Sequence, residues 1–367
     1  MSEIADQPEL PEDRPLRRGW TTGACATAAT KAALAALLGD GFPDPVTITL
    51  PRGQQPAFAL AHEAEGEGYA EAGIIKDAGD DPDVTHGALV VVRLGRGAAG
   101  SGVTFHAGAG VGIVTKPGLP LAVGEPAINP VPRQMMRQVV EAAAGLRGIA
   151  PDFSITIGVR DGAKLAEKTW NPRLGILGGL SILGTTGIVI PYSCSAWIHS
   201  IHRGIDVARA MGLTHVVGST GDASEKAAMA RLGLPLEAYL DMGDFVGGLL
   251  KYLKMHPVER VTLAGGFAKL VKLAQGAMDL HSGRSTVDRE LLAGMLRDLG
   301  AGEALVDAAR RANTANEVLG LATAAGLPLA QAVAEAARAQ GQRLVGPATR
   351  VAILLIDRGG QIVAEVT

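Results

Sequence analysis

Four aspartates in one short stretch are the first residues whose types and spacing suggest chemistry. The segment IIKDAGDDPDVTHG places Asp77, Asp80, Asp81 and Asp83 within seven residues. Clustered carboxylates can bind a hard cation, raise one another's pKa for proton transfer, or accept hydrogen bonds from a substrate. The same residue types also form solvated turns. We favour a functional role, but not a calcium site, because the EF-hand spacing is absent.

A second group of candidates follows the strands predicted in the second half of the chain. The sequence GSTG, Gly218 to Gly221, comes after one strand, Asp241 ends the next, and Gly265 and Gly266 end a third. Open parallel sheets bind ligands beyond the carboxyl ends of their strands. The GSTG loop resembles a dinucleotide or adenosine loop, with Asp241 available to ribose hydroxyls. The GxGxxG spacing is missing, so phosphate binding of the Rossmann type is unsupported, and a nucleoside without phosphates stays permitted.

Other polar residues stand where rigid backbone would present them to a ligand. Thr21 and Thr22 begin a helix, whose free N–H groups could accept an anion, although threonine there also simply caps a helix. Lys116 and Arg133 are single cations on Gly- and Pro-fixed segments and suit a ligand with several carboxylates; a surface arginine at a helix start is the alternative. His281 lacks an acid partner at triad spacing, and no GxSxG elbow is present, which argues against a hydrolase.

The run from Leu174 to Ile198 has no charged residue over 25 positions, which is long enough to span a bilayer. Its five glycines, Pro191 and the lack of flanking basic clusters argue against a membrane helix. Two interpretations stay open. The run is either a buried strand, Ile188 to Pro191, entered through a Gly-rich loop, or a surface where exposed backbone approaches a flat ligand.

The elements that must position these residues change in type along the chain. Before residue 184 we predict an Ala-rich helix over 24–38, several short strands rich in β-branched residues, and a helix near 133–144. After it, strands alternate with helices, which is typical of a parallel sheet with helices on both faces. Three more helices are predicted between 285 and 344, and then a hairpin that turns at Gly359–Gly360 and could return to either domain.

We therefore predict an α/β with α+β protein in which an N-terminal α+β domain precedes a Rossmann-like parallel α/β domain, closed by C-terminal helices and a β-hairpin. The predicted boundaries are a flexible N-terminus over 1–15, the α+β domain over 16–184, the Rossmann-like domain over 185–345 and the hairpin over 346–367.

Composition excludes several classes of protein. The 367 residues are 47% hydrophobic and 19% charged, as in globular chains of two or three domains. A net charge of -3 and 4% aromatic residues argue against a nucleic-acid partner. The N-terminus has no apolar run typical of a signal peptide, so we predict a cytoplasmic location with no membrane partner. His199 and His202 share one helix face without further ligands nearby, so no protein-bound metal is expected.

Six ordered segments give the chain a family resemblance. They are TTGACATAATKAA, KDAGDDPDVTHG, GAGVGIVTKPGL, AINPVPRQM, KTWNPRLGILGGLSILGTTGIV and AKLVKLAQGAMDLHS. Together they resemble the CbiD family, the cobalt-precorrin-5B C1-methyltransferases of the anaerobic route to cobalamin. The resemblance implies methyl transfer from S-adenosylmethionine to ring carbon C1 of a cobalt-containing tetrapyrrole, giving cobalt-precorrin-6A. It also implies a domain pair of the kind predicted above.

This chemistry assigns expected roles to the candidates. A sulfonium methyl is already electrophilic, so positioning and exclusion of water should dominate, with Asp80, Asp81 and His281 as candidates for proton transfer. We expect the run from Leu174 to Gly187 to pack against the macrocycle or the adenosine between the domains. The expected cofactor-binding residues are Gly218, Ser219, Thr220, Gly221, Asp241, Gly265 and Gly266, and the expected substrate-binding residues are Thr21, Thr22, Lys116, Asn129, Arg133, Thr185 and Thr186.

The main alternative is a non-catalytic carrier that binds corrinoid intermediates and hands them between pathway enzymes. It predicts tetrapyrrole binding without S-adenosylhomocysteine binding. A homo-oligomer and transient contacts with neighbouring pathway enzymes are further expectations. A phosphate-binding kinase or dehydrogenase is disfavoured by the missing P-loop and GxGxxG patterns.

Overall fold

The computed structural model describes residues 15–367, so nearly all of the segment predicted to be flexible, 1–15, lies outside the described residues. The chain forms two compact units, each with α-helices and β-strands. The first unit contains residues 15–114, 124–171 and 176–193, and the second contains residues 115–123, 172–175 and 194–367. The predicted boundary at 184 therefore differs from the structure, which groups residues 185–193 with the first unit.

The first unit is built around a five-stranded sheet and one central helix. The sheet has the order β4-β5-β6-β9-β7, with antiparallel pairs except for the parallel pair of β7 with β9. Its strands are β4 (His62–Gly66), β5 (Tyr69–Ile75), β6 (Leu89–Arg96), β7 (Val103–Ala107) and β9 (Phe153–Val159). The helices are α1 (Thr22–Leu37), α2 (Pro130–Leu146) and α3 (Gly162–Ala166).

Helix α1 is buried along almost its whole length against β5, β6 and α2. Its alanines are small enough for the sheet and α2 to approach the backbone closely, and they favour the helix intrinsically. Two buried hydroxyls on this helix are satisfied locally, because Thr27 donates to the carbonyl of Gly23 at 2.8 Å and Thr30 to that of Ala26 at 2.7 Å. The helix therefore forms the centre of the unit's core.

Six two-residue strands complete the first unit as three antiparallel pairs. They are β1 (Gly19–Trp20) with β11 (Ile188–Val189), β8 (Ile113–Val114) with β10 (Ile176–Leu177), and β2 (Val46–Thr47) with β3 (Ala57–Phe58). The segment GIVIP was expected to open the parallel sheet. That expectation was wrong, because β11 pairs with β1 across the start of α1 instead.

The second unit contains a sheet of order β13-β12-β14-β15-β16, in which the first four strands are parallel and β16 is antiparallel to β15. The chain passes from β12 to β13 on one side and then to β14 on the other. A topological switch point therefore lies between the carboxyl ends of β12 and β14, where such sheets bind ligands. The strands are β12 (His215–Ser219), β13 (Tyr239–Asp241), β14 (Arg260–Gly266), β15 (Arg350–Ile356) and β16 (Ile362–Val366).

Helices connect these strands as the alternation of the sequence predicts. The connecting helices are α4 (Cys194–Ala210), α5 (Asp222–Leu232), α6 (Val246–Met255) and α7 (Phe267–Ala274), with a short 3-10 helix, η1 (Leu236–Ala238), before β13. Where three further helices were expected the structure has four: α8 (Arg289–Asp298), α9 (Glu303–Arg311), α10 (Ala315–Ala324) and α11 (Leu329–Val345). The extra helix follows from Thr314, whose side chain accepts the Glu317 N–H and caps a new start.

The C-terminal hairpin joins the sheet of the second unit. Strand β15 pairs with β14 over its whole length, and β16 returns beside it. The sequence left open which domain would receive this hairpin, and the pairing of β15 decides it. Among residues 15–367, no helix is both long and apolar enough to cross a bilayer.

Candidate functional sites in the two units

The aspartate-rich loop of the first unit lines a cleft of about 460 Å³. Two of its four aspartates are held by basic side chains. Arg17 binds the Asp77 carboxylate with both terminal nitrogens, and this hydrogen bonding lowers the pKa of Asp77 to about 2 despite partial burial. Asp83 binds Lys76 at 2.7 Å, where the lysine is only 1% exposed. The residues that line the cleft are Gly79, Asp80, Asp81, Pro82, Asp83, His86 and Tyr192.

The charge of Asp83 is required by the buried lysine. Burial alone would raise the pKa of Asp83, but Lys76 and the hydroxyl and N–H of Thr85 outweigh it and lower the pKa. Asp77 and Asp83 therefore hold the loop together and are not available as proton-transfer groups.

Asp80 and Asp81 face different surroundings in the same loop. Asp80 is exposed and accepts the backbone N–H of Arg17 at 2.6 Å. Asp81 is half-buried and accepts the backbone N–H of Tyr192 at 2.8 Å. Burial raises the pKa of Asp81, and the nearby charge of Asp83 raises it further. These surroundings favour the protonated form of Asp81 and make its carboxyl a candidate for proton transfer.

The start of α1 uses its polar groups within the first unit. Thr21 accepts the N–H of Ala24 at 3.2 Å, which is the capping role given above as the alternative to anion binding. The Thr22 hydroxyl accepts the N–H of Leu183 at 2.8 Å, and the N–H of Gly23 donates to the Leu183 carbonyl at 2.8 Å. Few donors at this helix start are left for an anion, so the expectation that Thr21 and Thr22 bind substrate loses its geometric basis.

Arg133 also has internal partners. Its guanidinium donates to the carbonyls of Ile128 and Pro126 at 2.7 and 3.1 Å, and it lies 3.1 Å from the carboxylate of Glu125. These contacts fix the loop before α2 within the first unit. The bidentate pairing of Arg133 with a substrate carboxylate, expected from the sequence, would have to break them.

Lys116 and Asn129 differ in the contacts of their side chains. Lys116 belongs to the second unit and forms an ion pair with the buried Glu237 of η1, so it is not a free cation for a ligand. Asn129 belongs to the first unit, precedes α2, and makes no capping hydrogen bond with its side chain. Of this pair, only Asn129 keeps a side chain available to a ligand.

Close packing explains most glycines in the run from Leu174 to Gly187. A Cβ on Gly179 would lie 2.3 Å from the backbone of Gly110, and one on Gly187 would lie 2.5 Å from the side chain of Leu50. Gly178 faces open space but has φ +84°. Valine at either 178 or 187 would therefore strain the backbone, and valine at 187 would in addition clash with Leu50, so both substitutions should lower the stability of the fold.

The two threonines of this run differ in their contacts. Thr186 hydrogen bonds to both backbone groups of Ile188, each at 3.3 Å, in a local turn. Thr185 is exposed. The Thr185 hydroxyl is therefore accessible to a ligand, whereas Thr186 would have to give up its hydrogen bonds to Ile188 to bind one.

In the second unit, the carboxyl ends of β12 and β14 bring several predicted residues together. Ser219 pairs with both Asp241 and Ala264 in the sheet register, and the Thr220 N–H donates to the Ala264 carbonyl at 3.0 Å. The Ser219 hydroxyl is buried and has no hydrogen-bond partner. An orphaned buried hydroxyl costs free energy, and such groups concentrate at functional sites.

The four predicted glycines of this edge divide into two kinds. A Cβ on Gly218 would meet the Met242 sulfur at 3.0 Å, and one on Gly265 would meet the Thr220 side chain at 2.9 Å, so packing within the unit already requires these glycines. Gly221 has open space where a Cβ would be, and a Cβ on Gly266 would meet only a carbonyl at 4.0 Å. Packing therefore explains Gly218 and Gly265, and a cofactor contact at these two residues stays a prediction. Gly221 and Gly266, which precede α5 and α7, are the two positions where the backbone has open space beside it.

Asp241 lies at the end of β13 beside a pair that the sequence did not reveal. Arg173 binds the buried Glu225 of α5 with two nitrogens at 2.7 and 2.6 Å, and it also donates to the Tyr239 carbonyl at 3.2 Å. Burial raises the pKa of the Asp241 carboxyl, and the charge of Glu225 raises it further. A half-buried carboxylate in this position suits a ligand that donates hydrogen bonds, such as a diol.

Lys269 is a second residue that the sequence analysis missed. It extends from α7 to the Thr220 carbonyl, at 2.9 Å, and lies 3.1 Å from the Asp244 carboxylate. It thus bridges the ends of β14 and β12 at the switch point. The sequence signal was available, because Lys269 lies three residues after Gly266, one helical turn into α7.

His281 was grouped with Asp80 and Asp81 as a candidate for proton transfer. It belongs to the second unit, whereas Asp80 and Asp81 belong to the first. It is exposed, and its Nδ1 accepts the Gly283 N–H at 3.1 Å within its own turn. Nothing in this local geometry favours a role in proton transfer. Within residues 15–367, no group of three or more potential ligands could hold a metal ion.

These observations define a protein whose second unit contains an open, mainly parallel sheet with connecting helices and a topological switch point between the carboxyl ends of β12 and β14. The family model CbiD matches residues 9–191, and the model described as CbiD, C-terminal domain, matches residues 279–367. The chain belongs to the CbiD family, which confirms the resemblance seen in its motifs.

Two relatives are named cobalt-precorrin-5B C(1)-methyltransferase. The protein from Rhodospirillum rubrum is 64% identical over 97% of this chain and 99% of its own length. That from Paramagnetospirillum magneticum is 62% identical over 97% of this chain and 99% of its own length. A crystal structure of cobalamin biosynthesis protein CbiD from Archaeoglobus fulgidus is 27% identical, covers 75% of this chain and 86% of that chain, and has a TM-score of 0.40.

Proposed function

We propose that the protein methylates C1 of cobalt-precorrin-5B, with S-adenosylmethionine as the methyl donor, to give cobalt-precorrin-6A in the formation of the corrin ring. The observation that supports this most strongly is the 64% identity, over nearly the whole chain, to a relative with that activity in its name.

The proposed donor site lies at the carboxyl ends of β12, β13 and β14 in the second unit, which together are called the strand edge. The residues there fit an adenosine: Asp241 can accept hydrogen bonds from the ribose hydroxyls, and Gly221 and Gly266 leave room for close approach to the backbone. Ser219 and Thr220 complete this edge between β12 and β14. The donor supplies an electrophilic methyl group, so the residues of the edge need only orient it and exclude water.

Proton transfer to or from the macrocycle is proposed for Asp81. Its raised pKa, its partial burial and its place in the cleft of the first unit support this role. If the protonated carboxyl donates the proton, turnover falls as the pH rises through this pKa, and if the carboxylate accepts it, turnover falls as the pH decreases. In either case, Asp81→Asn should remove that limb of the pH profile, and an unchanged profile would contradict the assignment.

The deciding experiment is anaerobic turnover of the purified protein with cobalt-precorrin-5B and isotope-labelled S-adenosylmethionine, followed by mass spectrometry. A product heavier by one labelled methyl at C1 is expected. Retention of the macrocycle without label transfer, and without S-adenosylhomocysteine binding, would instead indicate the carrier. A cytoplasmic location, the absence of nucleic-acid and membrane partners, and a homo-oligomer with transient contacts to pathway enzymes stay proposals.

A further inference from the structure

Trp197, on α4, is held in one position beside the strand edge of the second unit. Its indole N–H donates to the backbone carbonyl of Asp241 at 3.0 Å. The Phe245 ring lies 6.4 Å away, centroid to centroid, at 49°. The indole atoms also pass 3.6 Å from the position that a Cβ on Gly243 would take. Three neighbours on the β13 side therefore fix the orientation of this ring.

The same ring is open to solvent. Trp197 is 42% exposed, which is unusual for the largest apolar side chain, and the ring is nevertheless fixed by the contacts just described. An aromatic side chain that is both fixed and exposed offers a preformed flat surface, because its orientation needs no further ordering when a second ring stacks on it.

We infer that Trp197 is the surface on which the adenine ring of the methyl donor stacks, an inference that rests on the proposed function. The indole is attached by its hydrogen bond to Asp241, the residue proposed to hold the ribose. A base joined directly to that ribose reaches the neighbouring ring. The Asp241 carboxylate beside it disfavours the other flat ligand, because the macrocycle carries carboxylates around its rim. The occupant is therefore the neutral adenine.

The inference predicts different affinities for S-adenosylhomocysteine in two variants of Trp197. Removing an aromatic ring on which a base stacks weakens binding by about 5- to 150-fold. Trp197→Leu keeps apolar volume but removes the ring, so S-adenosylhomocysteine should bind that much more weakly. Trp197→Phe keeps a ring, and its affinity should stay within about threefold of the unmodified protein, well inside the range for loss of stacking.

The binding measurements use isothermal titration of the full-length protein with S-adenosylhomocysteine, and with the tetrapyrrole in parallel. Met255→Ala is the matched control, since Met255 is also an exposed apolar side chain but lies at the far end of α6, away from the strand carboxyl ends. In turnover, Trp197→Leu should raise the KM for S-adenosylmethionine and leave kcat near its original value, as expected for loss of uniform binding.

A fluorescence measurement keeps the inference testable if Trp197→Leu does not fold. The chain has three tryptophans, so Trp20→Phe with Trp170→Phe leaves Trp197 as the only one. S-adenosylhomocysteine should then quench the remaining emission in a saturable manner. Emission that does not change on binding, or a Leu variant that binds S-adenosylhomocysteine normally, would overturn the inference, as would a variant that loses the tetrapyrrole alone. If the unmodified protein binds no S-adenosylhomocysteine, the proposed donor site itself is wrong.

Discussion

The candidate residues of the first unit and those of the strand edge in the second unit look alike in sequence but differ in how the fold uses them. In the first unit, Asp83 holds a buried lysine, the Thr22 hydroxyl bonds to Leu183, and Gly179 allows two backbone segments to touch. At the strand edge, the Ser219 hydroxyl has no hydrogen-bond partner and Gly221 has open space beside it.

This difference separates structural from functional candidates better than residue type does. A polar group that is hydrogen bonded inside its own unit, or a glycine that is needed there for close packing, has no unmet requirement that a ligand could satisfy. A buried polar group without a hydrogen-bond partner destabilises the folded protein, and a ligand that binds it can offset this free-energy cost. Substitutions in the first set should therefore change the free energy of unfolding, and substitutions in the second set should change ligand affinity.

The largest effect is expected at Asp83. Asp83→Ala leaves the ammonium of Lys76 buried and unpaired, which should lower the free energy of unfolding by about 3–5 kcal/mol. Urea denaturation followed by circular dichroism measures this loss. The control is Asp80→Ala, because Asp80 is exposed and should cost far less. Equal losses in the two variants would mean that the loop does not depend on the buried pair.

The pH dependence of stability sharpens the same comparison. The pKa of Asp83 is lowered in the folded protein, so its contribution is complete above the pKa of the unfolded chain and disappears as the pH falls through the folded value. As the pH falls from 7 through the folded pKa of Asp83, the unmodified protein should lose this contribution, whereas Asp83→Ala has none to lose. Parallel stability curves for the two proteins would contradict the assignment.

An intermediate effect is expected in the Gly-rich run. Gly179→Ala places a methyl group against the Gly110 backbone and should lower the free energy of unfolding by about 3 kcal/mol. Gly178→Ala meets no atom and incurs only the strain of its positive φ, about 1 kcal/mol. The comparison by urea denaturation isolates packing from backbone strain. The reverse order would indicate that the run is not packed as described.

A change in ligand affinity without a change in stability is expected at Gly266. Gly266 has φ −71° and ψ 157° and precedes α7, a position where serine is also favoured. Gly266→Ser should therefore leave the unfolding free energy within about 0.5 kcal/mol of its original value. Its side chain occupies the space proposed for the donor, so the affinity for S-adenosylhomocysteine should fall about tenfold, or about 1.4 kcal/mol. Titration calorimetry that shows unchanged affinity would move the donor away from this edge.

The smallest effect on stability is expected at Asp241, and in the opposite direction. The pKa of Asp241 is raised in the folded protein, so the negative charge of its carboxylate destabilises the folded state. Protonation of Asp241 should remove this destabilisation as the pH falls. Asp241→Asn should therefore slightly raise the melting temperature at pH 7 while weakening S-adenosylhomocysteine binding. A variant that is less stable and still binds normally would show that the carboxylate has a structural role.

The sequence was most informative where local pattern and chemistry coincide. The Ala-rich run predicted α1 to within two residues at its start, and the alternation of apolar strands with helices predicted β12, β13 and β14 in order. It also predicted that the residues after β12, β13 and β14 meet at one end of the sheet, which the strand register confirms, whereas adenosine binding there stays a prediction. The family and the mixed α/β fold, both implied by the ordered motifs, were confirmed.

The sequence was least informative about which charges cancel one another. Lys116 and Arg173 lie in short segments that the structure groups with the second unit, where their partners are Glu237 and Glu225. Helical periodicity and strand alternation describe neighbours along one element, so they contain no record of a pair more than fifty residues apart. The same limit hid Trp197, whose contacts lie on β13 and after it, from the candidate site.

What the sequence by itself determined is the family, the order of the elements and the set of residues with suitable chemistry, because these depend on residue types and on spacings within single elements. Only the tertiary structure decided which of those residues remain available. The Thr21 cap, the Asp83–Lys76 pair and the packing of Gly218 engage groups that looked free, and the edge between β12 and β14 leaves Ser219 without a partner. Availability depends on distances between elements, which the fold alone sets.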